Sequence, residues 1–143
     1  MQKIAGLLVG MCLSTAVQAQ TLIIKVSLSE QRVSIQEYDA FSKEWSEISL
    51  WKVSTGRVGH STPPGVFIPE SLDRYHKSSL YDDAPMPFSI FFNGNIAVHG
   101  TDAEWALGKR ASHGCVRLSV TNAEKLFNLL LKHKKINTRV IVE

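Results

Sequence analysis

Seven consecutive residues, Ser112-His113-Gly114-Cys115-Val116-Arg117-Leu118, set a thiol among a hydroxyl, an imidazole, a glycine and a guanidinium. The chain has two cysteines, and the other, Cys12, lies in an N-terminal apolar run. Once that run is removed, Cys115 has no partner for an internal disulfide, and its presence asks for another explanation. A thiol of ordinary pKa, about 8.5, is mostly protonated at neutral pH, whereas the thiolate is the reactive form. A nucleophilic Cys115 therefore needs a base beside it. His113 is adjacent in sequence, but side chains two apart need not face one another. His99 ends a predicted strand directly before Gly100, where a ring can be held rigidly and aimed at a loop carrying the nucleophile. We read His99 as the base, its second ring nitrogen needing an orienting acceptor such as a backbone carbonyl. Gly114, without a side chain, lets the backbone present N–H groups to a developing oxyanion.

Each residue also has a plainer reading. A lone cysteine is commonly a small core residue. A histidine at a strand end is commonly structural, Ser112 suits a turn, and Arg117 suits a surface ion pair. A zinc site built from His99, His113 and Cys115 would lack a fourth ligand and the paired spacings that structural zinc requires, so no metal is expected.

The elements that must position these residues read mostly as strands. Leu22, Ile24, Val26 and Leu28 alternate with polar neighbours, and Val33 and Ile35 resume that pattern after a Ser-Glu-Gln turn. Ile48, Leu50, Trp51 and Val53 mark another strand, broken by Gly56 and Gly59. Thr62-Pro63-Pro64-Gly65 makes a stiff turn before Val66-Phe67-Ile68. The polar, aromatic-dotted stretch 70–87 reads as one long loop of the kind that forms lids or binding loops. Phe88–Phe92 and Ile96–His99 read as a hairpin joined through Asn93-Gly94. Thr121 and Glu124 suggest a capping box that opens a helix to His133, with Ala123, Leu126, Phe127 and Leu130 on its apolar face. Thr138–Val142 reads as a closing strand. Many strands, one helix and no βαβ alternation predict a mainly β fold, an antiparallel β-sandwich with one packed α-helix near the C-terminus.

Lys3 followed by the apolar run 4–17 and by Val17-Gln18-Ala19 predicts a signal peptide over residues 1–19, cleaved between Ala19 and Gln20. A lipid on Cys12 fits less well, because Val9-Gly10-Met11 lacks the expected small residue next to the cysteine. The run is shorter than the ~20 residues of a spanning helix, so no stable membrane anchor is expected after cleavage. Residues 20–143 then form a single domain of ordinary size, exported to the periplasm. A net charge of +3 is too small to suggest nucleic acid. Lys109, Arg110 and Arg117 bracket the cysteine segment and favour a substrate bearing free carboxylates.

Taken together, His99-Gly100-Thr101 and the Ser112–Leu118 segment resemble the signature of the L,D-transpeptidase catalytic domain family (YkuD-type). Val53-Ser54-Thr55-Gly56, Thr62-Pro63-Pro64-Gly65, Met86-Pro87-Phe88 and Asn122-Ala123-Glu124 are similar to other blocks of that family. The resemblance implies Cys115 as the acylated nucleophile, His99 as general base and acid, and the Gly100 carbonyl as the group that orients His99. It implies that Ser112, His113, Gly114 and Arg117 line the substrate site. The implied partners are peptidoglycan stem peptides and possible amine-bearing wall proteins, and the implied chemistry needs no cofactor. Cys115 would form a thioester with a stem tetrapeptide and transfer it to an amine. The alternatives are an L,D-carboxypeptidase or hydrolase that gives the same thioester to water, and a non-catalytic peptidoglycan-binding domain.

Overall fold

Leu22, Ile24 and Val26 point to one side of β1 (Leu22–Ser27) and are fully buried, as alternation along a strand requires. The computed structural model to which they belong describes residues 20–143; the predicted leader, with Cys12 and Ala19, lies outside the described residues. β1 pairs with β2 (Arg32–Asp39), and β2 with β3 (Glu44–Lys52), both antiparallel. On its other edge β1 pairs in parallel with β9 (Thr138–Val142), and β9 pairs with β4 (Gly65–Phe67). A second sheet runs β5 (Ser71–Lys77), β6 (Pro85–Asn93), β7 (Ile96–Thr101) and β8 (Val116–Ser119). Between the sheets, Leu22, Ile24, Val33, Ile35 and Val140 belong to one buried cluster with Ile90, Phe92, Val98, Val116 and Leu118. Each such side chain contributes about 1.5–3 kcal/mol when fully buried.

The helix α1 (Val120–His133) follows β8 without a loop and packs on β6, β7 and β8 through Ala123, Leu126, Phe127 and Leu130. Its cap lies earlier than expected: the Ser119 side chain accepts from the Asn122 N–H at 3.2 Å, in place of a Thr121–Glu124 box. Both serine and threonine suit the cap, but Val120 already has helical geometry, so the first usable hydroxyl is Ser119.

The mainly β sandwich with a late helix is the architecture observed. Five of the seven strand pairings are antiparallel, while β1–β9 and β7–β8 are parallel. The stretch 70–87 is not one long loop. Most of it is β5 and the start of β6, with only Ser78–Ala84 left as a turn. β5 is an edge strand with no fully buried residue, so it carries no apolar alternation to read. The β6–β7 loop is Gly94-Asn95, one residue beyond the predicted position, with Gly94 at φ 58°.

Candidate active site

The parallel pairing of β7 with β8 sets His99 opposite Arg117 and Val98 opposite Val116. Because successive side chains alternate, Val98, Gly100, Val116 and Leu118 turn to the interior, while His99, Cys115 and Arg117 share the other face. Those three residues line a cavity of about 410 Å³ together with Ser112, His113, Met86 and Pro87. The second half of the cysteine segment is a strand, where the sequence predicts a loop, and that strand gives Cys115 its register.

His99 is 4% exposed, and its Nδ1 donates to the Gly100 carbonyl at 2.7 Å. A carbonyl can only accept, so Nδ1 carries the proton and Nε2 is left with a lone pair. Burial lowers the His99 pKa to about 4; the Gly100 carbonyl works against that shift, and the nearby Arg117 charge adds to it. Burial also pushes the Cys115 thiol above its ordinary value, opposed by the Ala97 N–H at 3.5 Å from Sγ and by Arg117. Both shifts favour a neutral thiol–imidazole pair at rest. The Cys115 S–H points to the Asn95 carbonyl at 3.8 Å.

Gly100 faces the helix. A Cβ there would meet Val120 Cα at 3.0 Å and the Pro87 ring at 3.2 Å, so any side chain would press on the seam where β7, α1 and β6 meet beside the histidine.

The turn before Cys115 is held by polar groups from elsewhere in the chain. Ser112 Oγ accepts from the Gly114 N–H at 3.0 Å and donates to the Cys115 carbonyl at 2.6 Å. Thr62 Oγ1 donates to the Gly114 carbonyl at 2.7 Å and accepts from the Gly56 N–H at 3.0 Å. The Thr55 carbonyl receives the Ala111 and Ser112 N–H groups, and Ser54 exchanges both backbone bonds with Arg117. Behind them, buried Gln31 accepts from the Thr55 N–H at 3.0 Å and donates to Thr55 Oγ1 at 2.6 Å. Gly56 sits so close to the His60 carbonyl that a Cβ would lie 1.9 Å from its oxygen. The Val53–Gly56 and Thr62 blocks thus form the scaffold of the cysteine turn.

His99, Ser112, His113, Cys115 and Arg117 all line the cavity, although no hydrogen bond joins Cys115 Sγ to His99, and two refinements follow. Ser112 is fully buried and its hydroxyl is committed within the turn. Gly114, at φ 129°, gives its own N–H to Ser112, so within this turn the amides of His113 and Cys115 are left for an oxyanion. Arg117 has no carboxylate partner among the described residues. Lys109 and Arg110, which bracket the segment in sequence, are exposed and line no part of the cavity. Among the described residues, no group of three His, Cys, Asp or Glu is arranged to hold a metal ion.

Sequence reasoning missed Tyr81. Its ring stacks on His113 with centroids 4.2 Å apart and planes 16° apart, and His60 meets the same imidazole edge-on at 5.2 Å. Burial, then Arg57, His60 and Arg117, lowers the His113 pKa. The only signal for Tyr81 was an aromatic within a polar stretch. Gln31 gave no signal, because a turn glutamine looks like a solvated one.

The family model for the L,D-transpeptidase catalytic domain matches residues 21–142. The Bacillus subtilis protein YciB, named as an L,D-transpeptidase, is 28% identical over 121 residues, covering 73% of this chain and 62% of its own length. YbiS of Escherichia coli K12, also named as an L,D-transpeptidase, is 44% identical over 46 residues, 32% of this chain and 15% of YbiS. The chain therefore spans less than two thirds of these relatives. Among solved structures, an L,D-transpeptidase from Mycobacterium smegmatis superposes with a TM-score of 0.72 at 16% identity, over 85% of this chain and 58% of that one. L,D-transpeptidase 3 from Mycobacterium tuberculosis, bearing a faropenem-derived adduct, gives 0.70 at 23% identity, over 86% and 60%. These two likenesses are of fold.

Proposed function

The chain belongs to the L,D-transpeptidase catalytic domain family, and from that premise we propose that it is an exported acyltransferase acting on peptidoglycan stem peptides through Cys115. The observation that carries this reading is the His99 ring, locked by the Gly100 carbonyl on the sheet face it shares with Cys115 and Arg117. In the first half-reaction, Cys115 Sγ attacks the carbonyl that follows the L-centre of the diamino acid in a tetrapeptide stem. Its proton passes to His99 Nε2, and the tetrahedral oxyanion is met by amides of the 113–115 turn. His99 then returns the proton to the leaving amine, releasing D-alanine and a thioester on Cys115. In the second half-reaction an acceptor amine loses a proton to His99 and attacks the thioester carbonyl, expelling the Cys115 sulfur, which takes that proton back from His99. Because the resting pair is neutral, proton transfer accompanies attack, and no preformed thiolate is needed. Arg117, with no acidic partner among the described residues, suits a substrate carboxylate. Residues 1–19 read as the leader that takes the enzyme to the periplasm.

The test is intact-protein mass after exposure to a tetrapeptide stem or a carbapenem. We expect one adduct on wild type and none on Cys115→Ala. An unmodified wild type after prolonged exposure to both would overturn the proposal. The muropeptide products then separate the two fates of the thioester. Dimers indicate transfer to an amine, and loss of D-alanine alone indicates hydrolysis.

A further inference from the structure

The cavity is lined by two side chains of opposite charge, and only one of them belongs to the cysteine motif. Arg117 is the first; the second is Asp102, three residues beyond His99. Asp102 is the one acidic residue that lines the cavity among the described residues, and it is exposed. Among the described residues, its carboxylate takes part in no ion pair and no side-chain hydrogen bond, with Arg117 or with any other group. Its backbone is nevertheless fixed. It follows the last residue of β7, and the Thr101 hydroxyl accepts from the Ala103 N–H at 3.1 Å, bracing the bend at which Asp102 stands. The neighbouring wall is apolar, from Ala84, Pro85, Met86, Pro87 and Ala103. A carboxylate held on a rigid strand end beside apolar surface attracts a cation more strongly as a ligand displaces water around it.

We infer that Asp102 forms an ammonium subsite, so that the cavity reads a zwitterionic residue: a carboxylate toward Arg117 and a free amine toward Asp102. This rests on the reading of the site as one for wall peptides and sharpens it. The preferred ligand is a stem whose diamino acid keeps its side-chain amine unmodified, and an acylated amine is disfavoured. Asp102 lies outside the cysteine motif and is assigned charge recognition alone, with no proton transfer. Its effect is therefore on KM and on binding.

Two synthetic tetrapeptide stems test this, identical except that the side-chain amine of the diamino acid is free in one and acetylated in the other. On wild type, kcat/KM for D-alanine release should favour the free amine by about two- to fivefold, the discrimination expected of an exposed charge pair. In Asp102→Asn that ratio should fall toward one, and in Asp102→Lys it should invert, with the change in KM. Binding of the same stems to Cys115→Ala and to Cys115→Ala/Asp102→Asn, followed by calorimetry, reads the subsite without turnover. Equal affinity of Cys115→Ala for the two stems, or a preference that survives Asp102→Asn, would overturn the inference. A free-amine preference that disappears with Asp102, in a protein that turns over neither stem, would uphold the subsite and count against the transpeptidase reading instead.

Discussion

His99 and His133 are both anchored imidazoles in the same small domain, and they are held in opposite ways. His99 gives one nitrogen to a neutral acceptor, the Gly100 carbonyl at 2.7 Å, and keeps the other for the cavity. His133 has both nitrogens engaged, Nε2 with the Glu37 carboxylate at 2.7 Å and Nδ1 with Thr21 Oγ1 at 2.8 Å. The second arrangement ties the end of α1 to β2 and to the residue before β1, and it leaves no lone pair for chemistry. A ring is free to act as a base when its partner fixes the tautomer and stops there. The local electrostatics follow the partner as well. Around His99 the carbonyl brings no counter-charge, and burial keeps the ring neutral. Beside His133 the Glu37 carboxylate is held below its ordinary value, chiefly by its hydrogen bond to His133.

The sharpest way to break this comparison is to remove each ring. His99→Ala should slow acylation of Cys115 by about 10²–10⁴-fold, the usual worth of a positioned acid–base group. His133→Ala should leave the acylation rate of the folded protein as it is and lower its stability by about 1 kcal/mol, through the hydrogen bonds lost to Thr21 and to Glu37, which keeps Lys132. His113→Ala belongs between them, with measurable acylation, since that ring packs against Tyr81 and His60 at the cavity wall. Rates of adduct formation by mass spectrometry, paired with thermal melts, read all three. A dead His133→Ala or a fully active His99→Ala would reverse the roles.

A smaller effect comes from moving the carbonyl on which His99 leans. Gly100→Ala places a methyl 3.0 Å from Val120 Cα and 3.2 Å from Pro87. Overpacking of this kind costs about 1–3 kcal/mol, and here the strain falls on the peptide that orients the ring. We expect a lower melting temperature together with slower acylation at saturating carbapenem. Wild-type kinetics and melting in Gly100→Ala would mean that the seam between β7 and α1 has slack, and that the histidine does not depend on it.

The sequence was most legible where chemistry and periodicity coincide. Cys115, His99 and Arg117 are brought to one sheet face, and the strands β1, β2 and β9 follow from alternating residues that are almost all buried. Gly56 and Thr62 stood in blocks like those of the family, but their work became visible only with the Thr62 hydroxyl bridging the Gly56 N–H and the Gly114 carbonyl. The second of these contacts joins residues 52 positions apart and leaves no local pattern. β5 was missed because an edge strand exposes alternate residues without burying the others fully. β8 was hidden because it is only four residues long and lies within the motif that drew attention as a loop. Gln31 was invisible for a third reason: a polar side chain is buried there because backbone and hydroxyl partners satisfy it, and neither kind of partner can be read from neighbours in sequence.

The smallest expected effect concerns acid stability, where the two histidine sites separate by pH window. The His99 pKa is lowered from an ordinary 6.5 to about 4, so between those values the unfolded chain binds the proton that the folded chain refuses. Stability contributed there is complete above about pH 6.5 and is lost as the pH falls toward about 4. The Glu37 pKa is lowered from 4.5, so its contribution is present above 4.5 and is lost as the pH falls through the folded value. Both sites therefore weaken the fold in acid, with the His99 loss beginning about two units earlier. Glu37→Gln isolates the second contribution, because a glutamine oxygen still accepts from His133 while the charge is gone. Melting temperatures taken between about pH 8 and pH 3 should show Glu37→Gln parallel to wild type above pH 5 and flatter below it. The difference should lie within the ~0–1 kcal/mol range of a partly exposed pair. His99→Gln should flatten the earlier part of the curve and leave the later part intact. If Glu37→Gln instead changed the slope between pH 6.5 and 5, the carboxylate would be reporting on a group other than itself. The contrast between a carbonyl-held and a carboxylate-held ring would then fail at its electrostatic step.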